Sequence, residues 1–298
     1  MQKFKGTFTM MITPFSGDGC RIEEAVLRDF VDWQIEQGVA GLIPLGSTGE
    51  FLSLSDEERH LVASVVIRQA NGRVPVIIGT GAECATDVVR FSRDAEALGA
   101  SGVMVIPPFY STPTEDEIER HYELVGKAVS IPVMVYNNPA TANVDMSPQL
   151  LARLSKIENV AYVKESTMDA TRVRDIARLS DNRMGVFGGI LGFESFMNGA
   201  VGWTAVGANV MPRDFAAMYR LCVTSVDLEA ARDLYRKIHP VIEIVGKHRY
   251  VSATKMILEL MGLPVGPPRP PRLPFDGGNL GWAKRIVAEM GLTFRGGG

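Results

Sequence analysis

Strand-like and helix-like segments alternate along most of the chain, and no other property of the sequence restricts the fold so strongly. Short runs rich in β-branched and aromatic residues stand at 7–12, 40–45, 74–78, 102–106, 132–136, 159–166, 184–187 and 201–205. Helical segments follow them at 23–37, 55–69, 85–98, from 114 onward, 147–154, 169–179 and from 192 onward. Three helix starts carry their own chemistry. Ser55-Asp-Glu-Glu58 and Thr114-Glu-Asp-Glu117 read as capping boxes, and Ser147-Pro148 as a serine cap with proline in the first turn. Strands that are apolar on both faces must be covered on both, so repeated βα units predict a parallel sheet, and eight of them predict an α/β protein built as a closed (β/α)8 TIM barrel.

An open, doubly wound sheet is the competing arrangement. Its best support is Gly79-Thr80-Gly81 after a strand, but Cys84 replaces the third glycine of a dinucleotide fingerprint. The next strand ends in Ile106-Pro107-Pro108, with no acidic residue for a ribose. Nucleotide binding is therefore not expected.

After Pro212 only helices are predicted, at 213–223, 228–245, 252–261 and 279–290. The domains expected are thus a barrel over residues 1–223 and a C-terminal helical extension over 224–298. Between the last two helices lies LPVGPPRPPRLPF, whose six prolines predict an extended connector on the surface rather than a ligand for a polyproline-binding domain. The closing Arg295-Gly-Gly-Gly is expected to be disordered.

Composition narrows the partners. The 298 residues are 46% hydrophobic and carry a net charge of −3 with no basic block, which gives no footprint for nucleic acid or an anionic membrane. Cys20, Cys84 and Cys222 show neither disulfide nor zinc spacing, and a reducing cytoplasm is expected. His60, His121, His239 and His248 share no ligand spacing, so neither a metal nor an organic cofactor is expected. The early apolar run is broken by threonines and Pro14, unlike a signal peptide, and the uncharged stretch 195–212 is interrupted by glycines and asparagines, unlike a membrane span.

In a parallel barrel the chemistry gathers where strands end, so the strand exits are compared as a set. Within NVAYVKES at 159–166 the apolar, strand-like run ends on Lys164, and a strand buried on both faces has no room for an ammonium group unless the lysine reaches solvent or serves chemistry. Gly46-Ser47-Thr48-Gly49-Glu50 after the second strand combines hydroxyls with free backbone N–H groups, a cradle for a carboxylate or phosphate. Pro107-Pro-Phe-Tyr110 and Tyr136-Asn137-Asn138-Pro139 follow the fourth and fifth strands.

Taken together, GSTGE at 46–50, the P-x-x-Y of Pro107 to Tyr110, YNNP at 136–139 and the lysine of YVKES resemble the dihydrodipicolinate synthase and N-acetylneuraminate lyase family of class I, Schiff-base-forming barrels. The resemblance implies that Lys164 forms an imine with a 2-oxo acid and that Tyr136 relays protons. It implies also that Ser47 and Thr48 hold the substrate carboxylate, with Ser47 able to join the relay, and that Tyr110 completes that relay across a tight dimer interface within a homotetramer. The chemistry is sound on its own terms. A lysine amine is a nucleophile only when neutral, and lowering its pKa to near 7 takes roughly 4 to 5 kcal/mol of destabilisation of the ammonium, a scale that burial supplies.

Departures from the family bear on the substrate. Where synthases of the dihydrodipicolinate type carry an arginine for the second substrate's carboxylate, two residues after the YNxP proline, this chain has Thr141. Where sialic acid lyases carry an acidic residue for sugar hydroxyls, it has Gly188-Gly189-Ile190-Leu191. Gly189 and Ile190 then line a rim suited to a compact 2-oxo acid. The reading is an aldolase or dehydratase. Synthase-like condensation of pyruvate with an aldehyde, deamination of a hydroxylated cyclic imino acid, and a non-catalytic sensor of 2-oxo acids or amino acids are the alternatives. The intact lysine, tyrosines and Ser47-Thr48 pair count against the sensor.

Overall fold

The structure, a computed structural model, describes residues 4–246 and 249–295. In chain order its elements are β1 (Gly6–Met10), α1 (Glu24–Glu36), β2 (Gly41–Ile43), α2 (Asp56–Ala70), β3 (Ile77–Gly79), α3 (Ala85–Ala97), β4 (Gly102–Val105), α4 (Glu115–Ala128), β5 (Val133–Asn137) and α5 (Pro139–Ala142). They continue with α6 (Pro148–Leu154), β6 (Val160–Glu165), α7 (Thr171–Leu179), β7 (Gly185–Gly188), α8 (Gly192–Met197) and β8 (Gly202–Ala205). Four more helices follow: α9 (Pro212–Tyr219), α10 (Leu228–Gly246), α11 (Tyr250–Leu260) and α12 (Gly278–Glu289). The strands form one eight-stranded sheet in the order β2-β1-β8-β7-β6-β5-β4-β3, with parallel pairing along it. This is the (β/α)8 architecture predicted from the alternation, followed by the expected helices.

Two compact units make up the chain, one of residues 4–6 with Pro75–Thr204, the other of Thr7–Val74 with the described part of Ala205–Gly298. In the first, Val103, Val105, Val133, Val135 and Val163 are completely buried, because a parallel strand between layers of helices is apolar on both faces. Phe4 stacks on Tyr162 with ring centroids 4.9 Å apart and gives its N–H to the Tyr162 hydroxyl at 2.9 Å, so a buried phenol has a partner.

In the second unit, a buried amide pair closes the exit of β1. Thr9 Oγ1 donates to Gln34 Oε1 at 2.6 Å, and Gln34 Nε2 donates to the Ala208 carbonyl at 3.1 Å. Asn209 accepts from the Ile12 N–H at 3.1 Å and donates to the Met10 carbonyl at 2.7 Å. The partners are drawn from β1, α1 and the loop after β8, so these amides fix the three together.

Both capping boxes form as predicted, and Ser147 accepts from the Leu150 N–H at 3.1 Å. Boundaries move for identifiable reasons. β3 begins at Ile77 rather than 74, since Pro75 has no N–H for a ladder. α7 begins at Thr171 because Asp169 accepts from both the N–H and hydroxyl of Thr171, a local turn that competes with helix. The helix expected at 213–223 ends at Tyr219 and runs on as a π-helical turn over Arg220–Thr224. The proline-rich connector is not simply laid on the surface: Val265 is completely buried and its carbonyl accepts from the Phe15 N–H at 2.9 Å. The glycine tail and His248 fall outside the described residues.

Candidate active site

Lys164 is the penultimate residue of β6, in register with Tyr136 on β5 and Phe187 on β7. It is 6% exposed, and its ammonium nitrogen lies 3.9 Å from the centroid of the Tyr136 ring. Burial pushes the amine down from the ordinary lysine value to about 7. Tyr136 accepts a hydrogen bond at Oη from Asn138 Nδ2 at 2.9 Å, a donor that favours negative charge on that oxygen. The β5 and β6 exits thus bring together the two residues on which the sequence reading rests most.

Glu165 follows Lys164 directly, yet strand alternation sends its side chain to the opposite face. Its carboxylate accepts from Asn137 Nδ2 at 3.0 Å and from the Thr167 N–H at 2.9 Å, and lies 3.5 Å from Arg172 Nε. Arg172 in turn holds both oxygens of Asp145 at 2.9 Å. The nearest carboxylate in sequence is therefore committed elsewhere and does not hold a charge on Lys164. Reading the sequence alone missed Glu165, Asn137 and Arg172, although the alternation of β6 could have flagged a buried acid in need of partners.

Alternation returns Ser166 to the face of Lys164. Its Oγ is buried and has no hydrogen-bond partner among the described residues. Gly189, expected at the rim, packs against it: a Cβ at Gly189 would lie 2.0 Å from Ser166 Oγ and 2.9 Å from the Glu165 carbonyl, so only glycine fits. The Gly189 N–H bonds the Glu165 carbonyl at 2.8 Å, and the Gly189 carbonyl accepts from Trp203 Nε1 at 3.0 Å. Ile190, the next residue, is 41% exposed.

Tyr110 projects outward, 89% exposed. Its loop is held by a residue the sequence reading did not single out: Glu83 accepts the N–H groups of Phe109, Tyr110 and Ser111 at 2.8, 2.9 and 3.0 Å and the Ser111 hydroxyl at 2.5 Å. Burial alone would raise the Glu83 pKa, but the Ser111 hydroxyl and the three amides overcome it and hold the group at about 2. Thr141 lies exposed on α5, with its N–H turned back to the Asn138 carbonyl at 3.0 Å.

Ser47 and Thr48 belong to the other unit, in the turn after β2, where Ser47 is half-buried and Thr48 buried. Glu50 closes that turn with its N–H on the Ser47 carbonyl, and Thr13 Oγ1 donates to the Gly49 carbonyl at 2.8 Å. His121 is a core residue of α4, pushed down to about 4 by burial, with Glu83 pulling the other way. The cysteines are unpaired, and among the described residues no group of His, Cys, Asp or Glu is placed to hold a metal ion. No helix of the described residues is long and apolar enough to cross a membrane.

The model of the dihydrodipicolinate synthetase family matches residues 3–288. The 4-hydroxy-tetrahydrodipicolinate synthase of Thermomicrobium roseum is 37% identical over 288 residues, which cover 96% of this chain and 93% of that protein. The synthase of the same name from Pelobacter propionicus is 33% identical over 291 residues, covering 97% and 99%. Among solved structures, the chloride-inhibited dihydrodipicolinate synthase of Acinetobacter baumannii complexed with pyruvate superposes with a TM-score of 0.94 at 29% identity, covering 97% of this chain and all of that one. A family model matched over nearly the whole length, on a fold whose β6 exit holds a buried lysine of lowered pKa, leads to one assignment: the chain belongs to the dihydrodipicolinate synthetase family of Schiff-base-forming lyases and synthases.

Proposed function

We propose that the protein cleaves or dehydrates a compact, hydroxylated 2-oxo acid through an imine on Lys164. The observation that carries this is the buried lysine held at about 7 over the Tyr136 ring. Near neutral pH much of the amine is free; it adds to the C2 carbonyl, and the resulting hydroxyl leaves as water with the proton of Tyr136, so that an iminium and a phenolate remain. In cleavage, the C4 hydroxyl gives its proton to the Tyr136 phenolate as the C3–C4 bond breaks and an aldehyde departs. The bond's electron pair forms the C2=C3 bond of an enamine while the C=N pair moves to nitrogen, and C3 then takes the proton back from Tyr136. In dehydration, the phenolate takes a C3 proton instead and passes it to the C4 hydroxyl, which leaves as water as the C4–O bond breaks. Hydrolysis of the imine returns the lysine.

Ser47 and Thr48 hold the substrate carboxylate in this reading, and Tyr110 reaches the site of a second subunit in a homotetramer of tight dimers. The orphaned Ser166 hydroxyl supports a substrate hydroxyl in the site, since a buried polar group without a partner costs about 1 to 3 kcal/mol that such a contact would recover. Ile190 and Gly189 leave little for a long polyol to bond. The protein works in the cytoplasm and needs no cofactor.

A second reading, condensation of pyruvate with an aldehyde, is favoured by the names of the relatives. Thr141 argues against aspartate semialdehyde as the acceptor. A charge-assisted contact to its carboxylate contributes roughly 1.5 to 3 kcal/mol, a ten- to hundredfold effect that a threonine does not supply.

Borohydride trapping tests the common chemistry. Incubation with pyruvate and reductant should add one reduced pyruvoyl group per chain at Lys164, read by intact mass and peptide mapping. No adduct with any of a panel of 2-oxo acids would overturn the reading. The same panel, followed for aldehyde or water release and for condensation with aspartate semialdehyde, separates the two reactions: robust condensation would show that Thr141 has been misjudged.

A further inference from the structure

The turn that carries Ser47 and Thr48 is bounded by two residues in an unusual backbone conformation. Leu45 and Glu50 both adopt left-handed φ values, 60° and 57°, although neither is glycine or asparagine. Between them Gly49 is so close to the chain that a Cβ there would lie 3.0 Å from the Leu45 nitrogen and 3.1 Å from the Met11 carbonyl. Such a turn persists only where its surroundings over-determine it.

The surroundings lie 200 residues further along. Glu50 has no exposed side-chain surface, and its carboxylate lies 2.8 Å from Lys255 Nζ on α11 and accepts the backbone N–H of Arg269 in the proline-rich connector at 2.9 Å. Lys255 is itself 2% exposed, donates a hydrogen bond to the Pro267 carbonyl at 3.1 Å, and lies 4.0 Å from the Phe15 ring centroid. Arg269 extends the clamp with its side chain. Its guanidinium takes both oxygens of Glu58 at 2.6 Å, bonds the carbonyls of Gly19, Cys20 and Ser53 at 2.9 Å each, and stacks 4.3 Å over Phe15. Glu58 meanwhile completes the capping box of α2 by accepting the Ser55 N–H at 3.0 Å.

A buried ion pair is a poor way to gain stability, because desolvation offsets most of the attraction and apolar residues of equal volume do as well. What it supplies is direction. Burial pulls the Lys255 amine down to about 8 even with Glu50 against it, so the charges are held there at a cost. We infer that Lys255 and Arg269 are positioning residues for the substrate-carboxylate cradle, acting through Glu50 to hold Ser47 and Thr48 in a strained turn. The prolines of the connector fit this role, since each fixes its own φ and so stiffens the segment that presents the Arg269 N–H and guanidinium; the segment turns back at Arg272, whose N–H bonds the Arg269 carbonyl. The inference rests on the reading of Ser47 and Thr48 as the carboxylate cradle.

The test compares imine trapping of pyruvate with that of pyruvamide, which has the same reacting carbonyl and no carboxylate. In the wild type, pyruvate should be favoured, and Ser47→Ala and Thr48→Ala should reduce that preference. Glu50→Gln and Lys255→Met should reduce it as well, by roughly ten- to hundredfold, the range of a lost charge-assisted hydrogen bond, while pyruvamide is trapped as before. Lys255→Arg should restore part of it. Thermal melts accompany each variant. Should the single variants unfold, the paired Glu50→Leu, Lys255→Met chain removes both charges, keeps the volume, and should fold with the preference lost. A preference unchanged in folded Glu50 and Lys255 variants, while the Ser47 and Thr48 variants lose it, would overturn the inference alone. No preference in the wild type would overturn the cradle itself.

Discussion

Lys164 has two measurable consequences at the scale of one residue, both set by the sign of its displacement. Its amine is held at about 7 by burial, against 10.5 for an ordinary lysine. Between those values the unfolded chain binds a proton that the folded chain does not, so stability rises with pH across that window. Below it the folded protein carries the whole cost of the buried ammonium, roughly 4 to 5 kcal/mol. Lys164→Met should therefore be more stable than the wild type at acid pH, with the difference shrinking as pH climbs from about 7 toward 10.5. Catalysis runs the same way: kcat/KM should fall about tenfold per pH unit below 7, as the free amine is lost. Thermal melts of both proteins and a rate profile across the window decide it. A stability difference that does not change with pH would mean that the amine titrates where it does in water.

Secondary-structure elements convert these side chains into a site, and at this scale some features were legible and others were not. The capping boxes were, because four adjacent residues contain the whole interaction. So was the pairing of Tyr136 with Lys164, since each ends its own strand-like run and parallel strands in succession bring their exits together. Glu83 under the Tyr110 loop was not: a carboxylate that accepts three consecutive backbone N–H groups 26 to 28 residues away has no local pattern. The Gly189 loop belongs to the same class. Its glycine reads as a turn residue, whereas the structure requires it because Ser166 and the Glu165 carbonyl occupy the space of a side chain. Gly189→Ala should destabilise the protein by about 1 to 3 kcal/mol and displace the rim. Adding Ser166→Gly removes the closer of the two clashes, so part of the loss should return. A double-mutant cycle by denaturant unfolding measures this, and strict additivity would show that the two positions do not compete for space.

The molecule as a whole repeats the lesson of remoteness. The eight βα units were readable because each is a local pattern, but the ion pair between Glu50 and Lys255 joins positions 205 apart and leaves no trace in either neighbourhood. Further still from the sequence lies the proposed role of Tyr110 in a second subunit: the residue is 89% exposed, yet carried on a loop whose backbone Glu83 holds by three amides. A rigidly presented aromatic with nothing over it suits a partner subunit. If Tyr110 completes the relay of a neighbouring subunit, Tyr110→Phe and Lys164→Met chains should each be nearly inactive alone and regain activity when mixed after mild dissociation. In a mixed dimer the Tyr110→Phe chain supplies the lysine and the Lys164→Met chain supplies the tyrosine, so one site of two is whole. Equal amounts exchanging freely give mixed dimers half the time, and recovery should approach about one quarter of the wild-type rate in this two-fold arrangement. Light scattering should report a tetramer for both variants, which shows that the interface survives. Mixed tetramers with no recovered activity would place Tyr110 in its own subunit's site or outside the chemistry altogether.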